Sequence, residues 1–194
     1  MNSLSRYRLS LTGLILAAVV VLLVGCTGAW DGGPFDGWGT GGGAIRWGTG
    51  VADGDPGGFG VSMSKVPAGS TVAFGAIILC VDGAASGTVR SVRFRRSDHL
   101  GIQRFALRRI AHTGLGADRA SILDLGFGST AVTVDTPCRD HAGATSTELG
   151  IDVAATAPGT VTGQTLIVSY AVGTRTGEVE VPMTIKLCQA TSCG

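Results

Sequence analysis

The segment Glu178–Leu187 alternates polar and apolar side chains with a period of two. In an extended strand its apolar members would share one face and its polar members the other. The apolar run Leu166–Val172 precedes it, and the turn-forming residues Gly173–Gly177 separate the two. The pattern predicts an antiparallel hairpin with one buried face. Pro182 cannot donate a backbone hydrogen bond, so we expect a sheet edge or a β-bulge at that position.

Similar short apolar runs extend back to about Gly60, with Gly, Pro and Asp between them. The predicted strands are Val61–Val66, Thr71–Cys80, Thr88–Phe94, Ile102–Ile110, Ser121–Leu125, Thr130–Val134, Leu149–Ala154, Thr165–Val172 and Glu178–Leu187. The fourth and fifth of these runs could be helical instead. About 135 residues suffice for one hydrophobic core. We therefore expect residues 60–194 to form an all-β, antiparallel β-sandwich of about 8–9 strands.

This strand pattern is similar to that of immunoglobulin-like sandwiches on exported bacterial proteins. It lacks the Cys…Trp…Cys arrangement of antibody domains, because no tryptophan follows Trp47. The resemblance implies an immunoglobulin-like architecture, and it names no family and no ligand.

The amino-terminal segment combines two arginines, Arg6 and Arg8, with an uncharged stretch from Leu9 to Ala29. A basic start followed by an apolar run predicts a secretory signal peptide. The run is also long enough to remain as an uncleaved membrane helix, since about 20 residues span a bilayer. Simple secretion, with Cys26 incidental, is a third possibility.

The run ends in Leu23-Val24-Gly25-Cys26, which resembles the lipobox of bacterial lipoproteins. The excess of arginine over lysine and the abundance of Gly, Ala and Val are typical of actinobacterial proteins. The resemblance implies a signal peptide over residues 1–25, cleavage before Cys26, and a diacylglycerol on its thiol with a further acyl chain such as palmitate on the new amino group. Two acyl chains would hold the mature protein on the outer face of the plasma membrane.

Residues 26–59 are rich in Gly, Trp and Asp and predict a flexible linker, with an average reach of roughly 30 Å. The Trp-Gly-Thr-Gly sequence at Trp38 recurs at Trp47, and Trp30 lies nearby. One interpretation is an aromatic patch for glycans or lipid headgroups. The other is that Trp47 and Phe59 pack on the edge of the domain.

Four cysteines remain after Cys26, an even number that favours disulfides in an exported protein. They are Cys80, Cys138, Cys188 and Cys193. We favour pairing Cys80 with Cys138 and Cys188 with Cys193, and the other two connectivities stay open. The spacings do not fit a zinc cluster.

Arginines crowd into two neighbouring predicted strands, although the whole chain carries a net charge of only +1, too little for a typical nucleic-acid binder. The four that share strand faces in pairs are Arg93, Arg95, Arg104 and Arg108. If Ser97–Gly101 joins the strands as a hairpin, these arginines form one basic patch for anionic headgroups or wall polymers. Alternatively, Glu178 and Glu180 neutralise them.

Catalytic motifs are sparse. Ser62 and Lys65 match a Ser-x-x-Lys motif, but they lie in a predicted strand and lack companion motifs. The three histidines, His99, His112 and His141, fall in predicted loops, and the loop with His141 lacks the nearby Met of a blue-copper site. We therefore expect a non-enzymatic envelope binding module without cofactor or metal. The alternative is a carrier of a small ligand or metal in which the three histidines converge.

Overall fold

The computed structural model describes residues 45–49, 59–83, 86–111, 114–128, 132–138 and 145–193. These residues belong to one compact unit, 39–194, and their regular structure consists of strands alone. The strands are β1 Ile45–Thr49, β2 Phe59–Met63, β3 Thr71–Val81, β4 Gly87–Asp98, β5 Leu100–Ile110, β6 Ala117–Asp118, β7 Thr133–Val134, β8 Ser146–Ala155, β9 Thr160–Val172 and β10 Arg175–Cys188. Within those ranges there is no helix able to span a bilayer.

The strands form two sheets that enclose one main core. Sheet A has the order β1-β3-β8-β5, with β6 also paired to β3, and sheet B has the order β2-β10-β9-β4-β7. Every ladder is antiparallel except β2–β10, which is parallel. Apolar residues from both sheets, such as Leu149 and Leu166, are fully buried between them. The prediction of an all-β sandwich is confirmed.

The predicted C-terminal hairpin is also confirmed, as β9 and β10. Val179, Val181 and Ile185 of β10 lie in the core, as the period of two requires. Pro182 lies in a β-bulge between Val181 and Thr184. Because β10 has neighbours on both sides, it is the bulge that accommodates the missing N–H group.

One predicted strand was wrong. Residues 121–125 belong to a turn, closed by backbone hydrogen bonds such as Phe127 N to Ile122 O at 3.0 Å. Ile122 and Phe127 instead pack on the outer face of sheet A against Ala73 and Ala106. We name residues 114–128 the covering segment. Residues 121–125 are apolar because they contribute to this second small core, and they do so without pairing as a strand.

The predicted linker boundary also moves. Residues 45–49, assigned above to the flexible linker, form edge strand β1 on β3. Ile45 is buried, Trp47 packs against the core, and Arg46 Nη2 lies 2.5 Å from Asp82 Oδ2. The packing of Ile45 and Trp47, at alternate positions, and the ion pair of Arg46 together hold this Gly-rich segment at a sheet edge. Phe59 packs on the core as well, so the domain-edge interpretation of Trp47 and Phe59 is confirmed.

The remaining predictions for the amino-terminal region concern residues 1–25, Cys26, Trp30 and Trp38. They lie outside the described residues. The signal peptide and the lipid attachment therefore remain predictions.

Both favoured disulfides are present. Cys80 pairs with Cys138, with 4.8 Å between their Cα atoms, and Cys188 pairs with Cys193 at 5.3 Å. The first ties the end of β3 to the segment after β7. The second closes a small ring at the end of β10.

Candidate functional site

The predicted basic patch does not form, because β4 and β5 do not pair. His99, with a φ of 54°, lies between them, and the chain passes there from sheet B to sheet A. β4 pairs with β9, whereas β5 pairs with β8. The arginines of the two strands therefore belong to different sheets, and each pair has its own carboxylate partners.

On sheet B, the arginines form exposed ion pairs across the outer face. Arg93 Nη2 lies 3.3 Å from Glu178 Oε1, and Arg95 pairs with Glu180. The interpretation that Glu178 and Glu180 neutralise these arginines is confirmed. Ile167 lies opposite both Arg93 and Glu180 in the ladders and is buried although it is on the outer face. We infer that the aliphatic parts of the charged side chains cover it.

Glu178 also accepts a hydrogen bond from the Ser169 hydroxyl at 2.9 Å. That hydrogen bond is the main reason that the pKa of Glu178 lies below its usual value, with smaller contributions from Arg93 and Arg95. The cluster is a solvated surface network. It holds no desolvated acid or base suited to proton transfer.

On sheet A, Arg108 binds a fully buried carboxylate. Its Nε lies 2.7 Å from Glu148 Oε2, its Nη1 donates to the carbonyl of Leu125, and its guanidinium stacks 4.4 Å from the centre of the Phe127 ring. Glu148 Oε1 accepts from the backbone N–H of Leu115. Glu148 and Arg108 thus fasten both ends of the covering segment to the sheet.

The same carboxylate completes a β-bulge in β3. Glu148 Oε1 also accepts from the N–H of Ala76, whose φ is 62°. A Cβ at Gly75 or Gly114 would lie 2.6 Å from that oxygen. Glycine at both positions is what allows the backbone to approach the carboxylate this closely.

A second buried carboxylate, Asp152, lies four residues after Glu148 in β8 and also binds the covering segment. It accepts from Ser121 Oγ at 2.7 Å and from the N–H of Ile122 at 2.8 Å, and Arg104 Nη1 lies 3.8 Å from it. Asp152 and Glu148 bind backbone amides of the covering segment, so their role is structural. Sequence reasoning missed both. The available signal was two acids spaced four apart in the otherwise uncharged strand β8.

The other candidate residues do not converge in the described segments. His99 is exposed, with Nε2 3.8 Å from Asp98 Oδ1, and His112 and His141 lie outside the described residues. Ser62 faces Lys186 in the β2–β10 register, and Lys65 follows β2 at a φ of 55°. No group of three metal-ligating side chains occurs among the residues that were described.

The most site-like feature is an open groove on sheet B. It consists of two adjoining depressions of about 380 and 230 Å³ that share Gln164. The larger depression is bordered by Phe59, Gln164, Thr165, Pro182, Met183 and Thr184. The smaller is bordered by Arg96, Ser97, Asp98, Thr162 and Gln164. We call the two together the sheet B groove.

The sheet B groove coincides with a backbone irregularity. Val181 pairs with Leu166 and Thr184 with Gln164, so Pro182 and Met183 together face the single residue Thr165. Thr165 has a φ of 50°. A β-branched residue with a positive φ is strained by about 1–3 kcal/mol, and such outliers concentrate at functional sites. Pro182 signalled the bulge from sequence, but nothing in the sequence signalled the strain at Thr165.

Comparison with known proteins identifies no relative. No protein-family model matches the chain, and no curated protein matches it. Among solved structures, the VesB protease of Vibrio cholerae is similar at a TM-score of 0.34 and 9% identity, over 74% of this chain and 31% of that one. The CooA pilin subunit of enterotoxigenic Escherichia coli is similar at a TM-score of 0.35 and 14% identity, over 74% of this chain and 97% of the pilin subunit. The chain thus spans about a third of the protease.

Proposed function

We propose that this protein is a non-enzymatic binding module of the bacterial cell envelope, anchored to the outer face of the plasma membrane by lipid on Cys26. The observation that carries the proposal is the use of its cysteines. Two disulfides account for four of the five cysteines in the chain. The thiol of Cys26, at the end of the lipobox-like sequence, therefore has no disulfide partner left in its own chain and is available for acylation.

The disulfides also support the proposed location outside the cytoplasm. Inside the cytoplasm thiols are kept reduced, whereas disulfides persist in the oxidising environment outside it. Export through a signal peptide would deliver the domain to that environment before its cysteines pair. The signal sequence and the disulfides are independent features, and both point to a location outside the cytoplasm.

Binding, as opposed to catalysis, is supported by how the charged groups are used. The two buried carboxylates, Glu148 and Asp152, hold the covering segment in place. The exposed carboxylates Glu178 and Glu180 are paired with arginines. The sheet B groove has room for a ligand on the exposed face of that sheet, and its polar groups suit recognition.

The position of β1 shortens the tether. Eighteen residues, 27–44, separate Cys26 from the first strand. A Gly-rich spacer of that length would have an average span of roughly 20–25 Å.

The lipid anchor is tested by intact-mass analysis of full-length protein expressed in a bacterial host and extracted from membranes. We expect a chain that begins at residue 26 and carries acyl mass, and that partitions into the detergent phase. Cys26→Ser is the matched control and should lose both properties. Retention of residues 1–25 without acyl mass would instead show an uncleaved anchor, and recovery in the aqueous phase would show simple secretion.

A further inference from the structure

We infer that the sheet B groove binds a neutral, hydroxyl-rich chain, that is, an oligosaccharide. The inference rests on the proposed role as a binding module and names its ligand class. The groove joins a strained residue, a bulge and two depressions on one sheet face.

The shape favours a ligand that lies across the surface. Both depressions are open to solvent, and Gln164 borders both. An enclosed small-molecule site would bury most of its ligand. A chain of several rings can instead lie across Gln164 and contact both shallow depressions.

The chemistry of the groove favours hydroxyl groups. Gln164 offers both a donor and an acceptor at the centre, and Thr162, Thr165 and Thr184 offer hydroxyls that can act either way. Each sugar hydroxyl is likewise a donor and an acceptor. At one end, Phe59 adds an aromatic side chain that is only partly buried and can contact the apolar face of a ring.

The charges of the groove argue against an anionic polymer. Arg96 and Asp98 border the same depression, so its lining carries one formal charge of each sign. The Arg96 guanidinium donates hydrogen bonds and the Asp98 carboxylate accepts them, and neighbouring sugar hydroxyls can do both.

The topology argues against a bound peptide strand. Peptides that extend a sheet need a free strand edge. β9 is bordered by β10 and β4, and β10 by β2 and β9, so their backbone groups are already used in ladders. β2 is the edge strand of sheet B, and a peptide added there would lie beside Phe59 and Gly60 at one end of the groove, not across Gln164. An apolar helix is also a poor fit. Among the described residues, Leu123 is the single large apolar side chain that is clearly exposed, and it lies on the covering segment of sheet A.

The groove also lies away from the point where the tether joins the domain. A Cβ at Gly87 would touch both Ile45 and Val172, which places the start of β1 near the end of β9. Residues 162–165 lie seven to ten positions back along β9, or roughly 23–33 Å at about 3.3 Å per residue. The groove is therefore not adjacent to the start of β1.

The test is an amide-shift NMR titration of the mature, acylated full chain in detergent micelles. The probes are cellohexaose and the N-acetylglucosamine hexamer, with polyphosphate as the anionic comparison. We expect shifts at groove residues with either hexamer and saturation below about 5 mM, since shallow sites of this kind bind weakly. Polyphosphate should cause none there.

Two variants make the test specific. Gln164→Ala, at an exposed position, should weaken hexamer binding by about tenfold or more, as expected when a central hydrogen-bonding group is lost. Gly60→Tyr should also block binding, because a Cβ there would make only an ordinary contact, 3.9 Å from the Thr184 carbonyl oxygen, and the ring would fill the groove. Thr174→Ala, in the exposed β9–β10 turn, is the matched control and should change affinity by less than about twofold.

The inference is overturned if neither hexamer shifts groove resonances at that concentration, if Gln164→Ala binds like the unaltered protein, or if polyphosphate occupies the groove. Because each sample carries its acyl mass as a separate readout, acylated protein without hexamer binding refutes only the ligand. Hexamer binding by protein that lacks acyl chains refutes only the anchor.

Discussion

The outer faces of the two sheets use arginine–carboxylate pairs in opposite ways. On sheet A, Glu148 is fully buried beneath the covering segment and binds Arg108 together with two backbone amides. On sheet B, Glu178 and Glu180 are about half exposed and bind arginines across an open face. A buried charge must have every partner in place, whereas water can replace the partner of an exposed one. The first face is therefore structural, and the second is free to bind.

The test of this contrast with the largest expected effect on stability compares Glu148→Ala with Glu180→Ala. Removing Glu148 leaves the Arg108 guanidinium and the amides of Ala76 and Leu115 without their acceptor. We expect a loss of about 3–5 kcal/mol of unfolding free energy, as for other broken buried pairs. Glu180→Ala should have little effect, because exposed pairs contribute little. Urea denaturation measures both, and similar losses would contradict the contrast.

A second test concerns the packing of the covering segment. A Cβ at Gly150 would lie 2.5 Å from the Phe127 ring, so Gly150→Ala must displace that ring. We expect a cost of about 1–3 kcal/mol and faster amide hydrogen exchange in residues 114–128. Gly101→Ala is the control, since the nearest atom to its Cβ would be the end of the flexible Gln103 side chain at 3.3 Å, with ordinary contacts to Thr156 and Ala154 beyond it. Equal effects would show that the segment is loosely held.

Relieving the backbone strain at Thr165 in the sheet B groove should change the free energy of unfolding by a smaller amount, and in the stabilising direction. Thr165→Gly removes the steric cost of a β-branched side chain at a φ of 50°. We expect a gain of about 1 kcal/mol, because relief of strain exceeds the greater chain entropy of glycine in the unfolded state. Thr162→Gly, in the same strand without a positive φ, should be destabilising. A thermal-unfolding comparison in which both variants lose stability would remove the argument that Thr165 is strained.

The smallest effect is the acid titration of Glu178. Its pKa lies below 4.5, its ordinary value, chiefly because of the Ser169 hydroxyl. A carboxylate with a lowered folded-state pKa contributes stability that is present above the ordinary pKa and lost as pH falls through the folded value. Ser169→Ala and Arg93→Gln should each raise the pKa of Glu178, because each removes a group that lowers it, as followed by carbon NMR of the carboxyl group. An unchanged pKa in either variant would show that the removed side chain does not stabilise the carboxylate.

Much of sheet B was predictable because its signals are local. The alternation in Glu178–Leu187 predicted β10, and Pro182 predicted its bulge. The possibility that Glu178 and Glu180 neutralise nearby arginines also followed from the sequence. The groove itself did not, because it depends on the backbone of Thr165 as well as on which strands adjoin it.

Sheet A was harder to predict because its signals are non-local. Ser121–Leu125 is as apolar as a strand, yet it covers sheet A without pairing. Glu148 and Asp152 can be buried in β8 only because the covering segment returns to supply their amide partners. Those partners lie about 30 residues away along the chain, and no local pattern specifies that distance.

By itself, the sequence determined the strand periodicity and the single sandwich, and it predicts two disulfides and the export signal. These follow from the alternation of side chains along a strand, from the even number of cysteines after Cys26 and from a continuous apolar run, none of which depends on which segments meet. The tertiary structure then decided which cysteines pair. The tertiary structure alone decided that β4 and β5 separate at His99 into different sheets, that Ile45–Thr49 joins an edge, and that one face is covered while the other stays open. The choice among partners depends on burial and charge compensation between distant segments, and these exist only once the chain has folded.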